Sequence, residues 1–526
     1  MRQLLFVSFF LWFVSLAHAE WSGTTADQMI SFDDNEYARA VQILYHEGAS
    51  TLHAFWGEDA PSDRELHYGR SADYGETWTS TAGDRIISFP DGNDLYDECS
   101  AAAGGDVLIV VWSEDDAANR EVHYGISTDD GITWSSQTSD AILSDPASTF
   151  DTMTPSIACD ADGVFHVVWH QATSDGVAEV HYSRSTDGGL TWSGASGDRV
   201  ISFPDDQAAI GPRIAACEGH LFVVWREKNA NDEYAIHVGI SEDGGDTWSS
   251  EVADREISPA GGLMTDLDIS AVPYDASDGV HVVYRVSYNT SSPYYYEIYS
   301  TSTYDQGATW SGESGKVQVS HDEGAGRSAS NPDVHVRAFG GPFAVWDEED
   351  DVTGSKEQHV SWFDGEQWTG ATADSIISFP DGENGYRPSI TGTRLVVSEP
   401  PEGFPYVFVA WTEFAGGSTD NYEVHLSVLY LNLGGIPDPP ASWAWTVRAE
   451  PSLSGAETRF AFDLPRGGPV RIEILDAEGR LIDALRSMAP MGESHLTWKA
   501  AGVPAGRYTA RVIAPSGRRS LPVVRF

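Results

Sequence analysis

Short runs of alternating apolar and polar residues, separated by turns rich in Gly, Asp and Asn, repeat along most of the chain. An apolar run that closes on an aromatic residue occurs seven times, ending at Trp56, Trp112, Trp169, Trp225, Tyr284, Trp346 and Trp411. Each is followed by a second alternating run, such as ELHYGRS, EVHYGIS or EVHYSRS. This period-two pattern predicts paired β-strands. Its repetition predicts an all-β fold.

The repeat also contains a polar motif of eight residues. Close copies are SADYGETW (71–78), STDDGITW (127–134), STDGGLTW (185–192), SEDGGDTW (241–248) and TYDQGATW (303–310), and SWFDGEQW (361–368) is a decayed copy. A short fourth run follows, such as IISFPD at 86–91 and VISFPD at 200–205. Four short strands per repeat make a small antiparallel sheet that cannot bury both faces alone. Radial stacking of such sheets predicts a β-propeller.

The number of blades depends on how the chain ends are used. The seventh repeat lacks both the polar motif and the fourth strand. Residues 21–34, WSGTTADQMISFDD, align with residues 192–205, WSGASGDRVISFPD, which contain a fourth strand. A strand from the N-terminal region would complete the last blade and remove its open edge. We therefore predict seven blades, with a six-bladed ring as the alternative.

The chain ends predict further segments. Residues 1–19 have an Arg near the start, an apolar run and Ala17-His18-Ala19, a pattern typical of a cleaved signal peptide. We expect the propeller to occupy residues 20–433, a Gly/Pro-rich linker residues 434–445, and a small β-sandwich residues 446–526. The apolar run is too short to span a bilayer comfortably. The sequence thus predicts a secreted or cell-surface protein.

The net charge of −49 is unevenly distributed. From Trp443 onward 12 Lys and Arg face 8 Asp and Glu, which leaves 19 against 72 in the preceding part. A strongly acidic surface repels nucleic acid and anionic membranes, so we expect neither as a partner. The three cysteines are too few for a disulfide framework in a chain of 526 residues.

The motif S-x-D-x-G-x-T-W resembles the Asp-box, or BNR repeat, of sialidase-like propellers, over roughly residues 21–433. In that family the box forms the turn between the third and fourth strands of a blade, on the side away from the active site. The resemblance therefore implies a structural role for the box aspartates Asp73, Asp129, Asp187, Asp243 and Asp305. The C-terminal region, with Phe460 to Pro465 and Val503 to Tyr508, is similar to Ig-like modules of the flagellar hook-capping and type IX sorting kinds, which implies export or surface attachment.

The resemblance also suggests catalytic candidates. Sialidases bind the substrate carboxylate with three Arg, and use a Tyr nucleophile and an Asp acid/base. Strand starts on the corresponding face supply tentative counterparts: Arg39, Arg213, Arg387, Arg285 in place of one of these, Tyr386 and Asp268. The family's F/Y-R-I-P signature is not matched before the first box. The alternative is that each Arg forms a surface or inter-blade ion pair.

Histidine recurs in the third strand of six repeats, at His67, His123, His181, His237, His359 and His425. Equivalent residues of different blades are spread around a ring and cannot converge on one metal ion. We therefore predict that these histidines, and the Glu of each Trp-x-Glu, form repeated packing hydrogen bonds. We expect no cofactor. Ca²⁺ is the alternative, at the Asp-rich turns 91–98, 159–163 and 347–351.

Taken with the resemblance, these patterns favour a secreted or cell-surface propeller that acts as a glycan-binding or scaffold module. The alternative is an exo-acting glycoside hydrolase of the sialidase type, cleaving terminal sugars. The expected partner is a glycan or a cell-surface component, and the expected state is a monomer.

Overall fold

The computed structural model describes residues 21–22, 28–34, 36–59, 63–83, 85–115, 119–145, 148–196, 199–229, 233–259, 261, 263–271, 279–287, 295–321, 328–337, 341–349, 355–363, 367–371, 375–378, 384–392, 406–414, 422–430, 446–451, 457–464, 468–475, 481–489, 492–499, 503–504, 506–514 and 517–525. The predicted signal peptide (1–19) and linker (434–445) lie outside them. The strands fall into two compact units, residues 20–395 with 405–430 and residues 431–526.

The first unit consists of seven four-stranded antiparallel sheets. Blade one has β2 (Ala38–His46), β3 (Thr51–Asp59), β4 (Arg64–Ser71) and β5 (Arg85–Ile86); blade two has β6 (Leu95–Gly104), β7 (Val107–Asp115), β8 (Arg120–Ser127) and β9 (Ala141–Ile142). Blade three has β10 (Thr152–Cys159), β11 (Phe165–Ala172), β12 (Ala178–Ser185) and β13 (Arg199–Val200); blade four has β14 (Ile210–Cys217), β15 (His220–Lys228), β16 (Tyr234–Ser241) and β17 (Arg255–Glu256).

Blade five has β18 (Leu263–Ala271), β19 (Val280–Ser287), β20 (Glu297–Thr303) and β21 (Val317–Gln318); blade six has β22 (Ser330–Arg337), β23 (Gly341–Glu349), β24 (Lys356–Trp362) and β25 (Ser375–Ile376). Blade seven has β26 (Gly385–Gly392), β27 (Tyr406–Phe414), β28 (Tyr422–Tyr430) and, from the start of the chain, β1 (Gln28–Met29). Short 3-10 helices precede the fourth strands at Ser80–Ala82, Ser135–Gln137, Ser193–Ser196, Ser249–Glu251, Ser311–Ser314 and Thr369–Ala371.

The ring is closed. The first strands of consecutive blades contact one another all the way round, including β2 with β26. In blade seven β1 pairs antiparallel with β28, with Gln28 opposite Leu426 and Met29 opposite His425. The prediction of seven blades is therefore confirmed, and the six-bladed alternative is wrong.

Hydrophobic packing between neighbouring blades holds the ring together. The cluster between blades four and five, for example, joins Phe222 and Val224 to Val282 and Tyr284, all almost fully buried. The aromatic residue that ends each apolar run is central to this packing, because it is completely buried in all seven blades. Burying an aromatic side chain of this size stabilises the fold by about 2–3 kcal/mol.

The second unit has two antiparallel sheets. They contain, in spatial order, β29 (Thr446–Pro451), β30 (Glu457–Leu464) and β33 (Gly492–Lys499), and β32 (Leu481–Ala489), β31 (Gly468–Leu475), β34 (Gly506–Ala514) and β35 (Gly517–Arg525). Phe460 and Trp498 from the first sheet share a buried core with Ile472 and Val512 from the second. The resemblance of this unit to Ig-like sorting modules stays a prediction.

Candidate functional site

The innermost strand of every blade has a bulge close to its start. Pairing with the second strand shifts register there in all seven blades, as between Arg39 and Gln42 or between Ile210 and Arg213. Five of the bulges contain a residue with positive φ, namely Ala40, Thr154, Gly211, Asn331 and Arg387. Such bulges redirect side chains and often border functional sites. Here they surround the central axis at one face of the ring.

Just after each bulge, one residue per blade lines a common cavity among the first strands. These positions are Gln42, Ser100, Ser156, Arg213, Asp268, Asp333 and Ser389. Five of them accept a hydrogen bond from a backbone N–H of the next blade: Ser100 from Ile157 at 3.2 Å, Ser156 from Ile214 at 3.3 Å, Asp268 from Val334 at 3.1 Å, Asp333 from Ile390 at 2.9 Å and Ser389 from Ile43 at 3.3 Å. This axial ring of side chains therefore links neighbouring blades.

A cavity of about 170 Å³ opens among these residues. Its charged lining consists of two guanidinium groups and four carboxyls, Arg213, Arg387, Glu98, Asp266, Asp268 and Asp333. Arg213 of blade four pairs with Glu98 of blade two, with an Nη2–Oε2 distance of 2.9 Å. Burial lowers the pKa of Arg213, but Glu98 and Asp268 outweigh this and raise it, so the guanidinium stays charged. The site thus combines fixed positive charge with clustered carboxyls.

Asp268 and Asp333 form a close carboxyl pair in this cavity. Burial raises the pKa of Asp268 well above its usual range, and the adjacent Asp333 raises it further. This raised pKa favours the protonated form of Asp268, which can donate a hydrogen bond as well as accept one.

The structure brings together only some of the predicted catalytic residues. Arg213, Arg387 and Asp268 line the same cavity, whereas Arg39, Arg285 and Tyr386 are not part of its lining. Arg39 pairs with Asp59 at 2.8 Å, and Arg285 pairs with Asp266 at 3.1 Å. A convergence of three Arg is thus not seen in the described part of the chain, and the catalytic role of these residues stays a prediction.

Tyrosines paired with cationic side chains occur around the rim of the same face, where first and third strands begin. The distance from the cation to the ring centroid is 4.1 Å for Arg39 on Tyr37, 3.8 Å for Arg120 on Tyr96, 5.3 Å for Lys228 on Tyr234, 3.9 Å for Arg285 on Tyr296 and 5.4 Å for Lys356 on Tyr386. Tyr37 also packs on Tyr422, with ring centroids 4.5 Å apart. We call these five tyrosines the rim tyrosines.

Sequence reasoning identified only part of this face. It selected Tyr386, which lies at a strand start on this face. It missed Tyr96 and Tyr234, which lie at strand starts in otherwise regular blades. It also missed Glu98, whose pairing with Arg213 spans 115 residues of sequence. The bulge that directs Glu98 to the axis has no sequence motif.

The Asp-boxes lie at the opposite ends of the third strands, and their polar atoms are used within the turn. In each of the five close copies the aspartate accepts hydrogen bonds from the backbone N–H and hydroxyl of the Thr four residues later, at 2.6–2.9 Å, and from the hydroxyl two residues earlier, at 2.8–2.9 Å. These bonds lower the pKa of Asp243 and Asp305 to about 2. The boxes thus have the geometry of folding turns.

The histidines and glutamates that recur from blade to blade lie inside the blades. The indole N–H of Trp56, Trp112, Trp225, Trp346 and Trp411 donates to the Glu two residues later at 2.6–2.7 Å. The prediction of a repeated packing hydrogen bond is confirmed for these glutamates. The histidines stack beside the same tryptophans, as His181 does on Trp169 with ring centroids 5.9 Å apart.

The turn at 159–163 is one of the three Asp-rich turns proposed as Ca²⁺ sites. Its Asp160 carboxylate already accepts hydrogen bonds from within the turn. Asp160 accepts the backbone N–H groups of Asp162 at 3.0 Å and Val164 at 2.9 Å, and it contacts His166 at 3.2 Å. Residues 350 and 351 of the turn 347–351 fall outside the described residues. Calcium binding at the three turns stays a prediction.

A known family model matches part of the chain. The model of the BNR repeat-like domain matches residues 11–253, slightly less than half of the sequence. The described blades form a seven-bladed propeller. No curated protein matches the chain. Among the described residues, no helix is long and apolar enough to cross a membrane.

Solved structures similar to this chain share little sequence with it. An α-L-arabinanase from Penicillium chrysogenum, complexed with arabinobiose, has 13% identity over 76% of this chain and 97% of its own, with a TM-score of 0.42. Trypanosoma rangeli sialidase has 12% identity over 93% and 84%, with a TM-score of 0.40. An endo-arabinase from Bacteroides thetaiotaomicron has 13% identity over 52% and 96%, with a TM-score of 0.32.

Proposed function

We propose that the propeller binds glycans on the face where its first strands begin. The observation that carries this proposal is the set of rim tyrosines, each held by a cationic side chain around the axial cavity. A tyrosine ring offers an apolar surface and a polar hydroxyl, which suits the mixed apolar and hydroxylated faces of a sugar. The adjacent Arg, Lys and Asp groups supply hydrogen bonds that fix orientation.

Charge favours a neutral oligosaccharide as the ligand. The part of the chain before Trp443 has 19 Lys and Arg against 72 Asp and Glu. The cavity itself has more carboxyls than guanidinium groups. An acidic sugar would be repelled at long range by this field, although salt screens the effect beyond about 10 Å.

The test is binding of neutral and acidic oligosaccharides by the purified protein, first on a glycan array and then by calorimetry. We expect Tyr96→Ala, at a side chain that is 39% exposed, to weaken binding at least tenfold. Tyr304 is a matched control, because it is 52% exposed within the Asp-box of blade five, at the opposite face. Equal loss in Tyr304→Ala, or no binding of any glycan by the parent protein, would contradict the proposal.

A second candidate is hydrolysis of a terminal sugar. It is favoured by the Asp268–Asp333 pair beside Arg213, since glycoside hydrolysis commonly uses two neighbouring carboxyls. The same carboxyls also link blades, which gives them a structural role without catalysis. Release of the fluorophore from a fluorogenic sialoside, compared with Arg213→Ala and Arg387→Ala, tests this candidate. Absence of turnover by the parent protein would exclude it for that substrate.

We further propose that the protein acts outside the cell or at its surface, as a monomer attached through residues 446–526. This rests on the pattern of residues 1–19 and on the resemblance of the C-terminal unit to sorting modules. Expression of the full chain in its own cells should yield a product whose N-terminus is Glu20. Deletion of residues 446–526 should release it from the surface. An intracellular product that retains residues 1–19 would overturn the proposal.

A further inference from the structure

Within single blades, one histidine meets two carboxyls. In blade four the ligand atoms of Glu227 on β15, His237 on β16 and Asp254 just before β17 all lie within 4.8 Å of one another. In blade two the equivalent residues Glu114, His123 and Asp140 form the same arrangement. The histidines of different blades are far from convergence, but each has potential partners inside its own blade.

Hydrogen bonds to the neighbouring Trp225 and Phe203 use one oxygen of each carboxyl in blade four. Glu227 Oε2 accepts the indole N–H of Trp225 at 2.7 Å, and Asp254 Oδ1 accepts the backbone N–H of Phe203 at 3.1 Å. Glu227 Oε1, Asp254 Oδ2 and both imidazole nitrogens of His237 are buried and have no hydrogen-bond partner among the described residues. His237 is only 5% exposed. Buried polar atoms are nearly always satisfied, so this group of atoms needs a further partner.

The donor atoms of the cluster indicate what kind of partner is missing. One oxygen of each carboxyl and one imidazole nitrogen lie within 4.8 Å of one another, and these atoms are shielded from solvent. A shared proton would satisfy the two carboxyls but leave the imidazole nitrogens unpaired. A cation would bind one oxygen of each carboxyl and one of the two imidazole nitrogens.

The sequence of blade five supports this interpretation. There the positions of Glu227, His237 and Asp254 are taken by Val286, Tyr299 and Lys316. All three potential ligands are absent together, and a cationic side chain replaces one carboxylate. Blade three changes one position, since Gln171 replaces the Glu and donates its amide to Ser148 Oγ at 2.8 Å.

We propose that Glu227, His237 and Asp254 bind a divalent cation that stabilises blade four, and that Glu114, His123 and Asp140 bind a second one in blade two. One imidazole and two carboxylates suit Zn²⁺ or Mn²⁺ better than Ca²⁺, which prefers oxygen ligands alone. The ion joins the second, third and fourth strands of a blade. It is a structural site, distinct from the axial cavity and from the Asp-rich turns.

The test uses the full chain. We expect plasma mass spectrometry of the dialysed protein to find at least two equivalents of Zn²⁺ or Mn²⁺, and Asp254→Asn and His237→Gln each to lose one. Glu357→Gln is the matched control, because Glu357 is equally buried and both of its carboxylate oxygens accept hydrogen bonds, from Ser355 and Ser378. It should retain the full content.

Calorimetric titration of chelator-treated protein with Zn²⁺ and with Mn²⁺ separates metal loss from misfolding. The parent protein should bind at least two equivalents of one of these ions and gain several degrees in melting temperature. The folded Glu227→Gln variant, verified by near-UV circular dichroism, should bind one equivalent less. A parent protein that is isolated without metal and binds neither ion would overturn the proposal, and would leave a shared proton or an ordered water as the partner of these atoms.

Discussion

The hydroxyl of Ser31 donates to Glu423 Oε2 at 2.6 Å, although the two residues are 392 positions apart. The same Ser31 oxygen accepts the backbone N–H of Val424 at 2.8 Å. In blade three the equivalent pair, Ser202 and Glu179, is only 23 residues apart and has the same geometry. The N-terminal strand therefore reproduces the hydrogen bonds of an ordinary fourth strand, and these bonds close the ring.

Ser31→Ala should destabilise the propeller by about 1–3 kcal/mol, because it leaves a buried carboxylate oxygen of Glu423 without its donor. The loss should appear as a lower denaturation midpoint and as faster amide exchange at Val424. Ser202→Ala is the control, since it removes the same bond inside a blade formed from consecutive residues. Exchange at Val424 that stays unchanged in Ser31→Ala would show that the N-terminal strand does not hold the last blade.

The second glycine of the box in blade four, Gly245, should not tolerate a side chain. Its φ is +90°, and a Cβ there would lie 1.9 Å from the Tyr182 hydroxyl oxygen of the neighbouring blade. We expect Gly245→Ala to cost more than about 3 kcal/mol of unfolding free energy, through backbone strain and overlap. Gly244→Asn is the control, because Tyr74, Asp130 and Gln306 occupy that position in other boxes at φ 58°. Equal stability of the two variants would disprove this explanation.

The box aspartate of blade four should contribute to stability despite its exposure. Asp243 accepts three hydrogen bonds, from Thr247 N, Thr247 Oγ1 and Ser241 Oγ, at 2.7–2.9 Å. We expect Asp243→Ala to lower the midpoint of chemical denaturation at pH 7, because the turn loses three hydrogen bonds. Because the pKa is lowered to about 2, the contribution should be present above about pH 4 and vanish toward pH 2. Glu242→Ala, next to it and also exposed, should have no comparable effect.

Repetition made the fold predictable from sequence, whereas side-chain convergence was harder to predict. The alignment of residues 21–34 with 192–205 predicted the closing strand, because each blade is a copy of the same local pattern. The pairing of Arg213 with Glu98 could not be predicted, since it depends on bulges that leave no motif. The cluster of Glu227, His237 and Asp254 was not predicted for another reason. The repeat relates equivalent histidines of different blades, whereas the carboxyl partners of each histidine lie within its own blade.

A last prediction concerns Glu179, the buried acceptor of Ser202 in blade three. Burial raises its pKa to about 7, the Ser202 hydroxyl opposes this, and the carboxylates of Asp205 and Asp175 raise it further. Because the folded state holds this proton more tightly than the unfolded state, its contribution to stability is present below about pH 4.5 and is lost as pH rises through 7. Glu179→Gln imitates the protonated form. Its stability relative to the parent should therefore improve between pH 5 and pH 8 by about 2–3 kcal/mol, in chelator-treated protein unfolded with urea.

The comparison of two chains at each pH cancels the opposing titration of His181 and His237, whose pKa values burial lowers to about 4. The exposed Glu242→Gln should show no such change with pH, and a parallel result for both variants would mean that Glu179 is ionised in the folded protein at neutral pH.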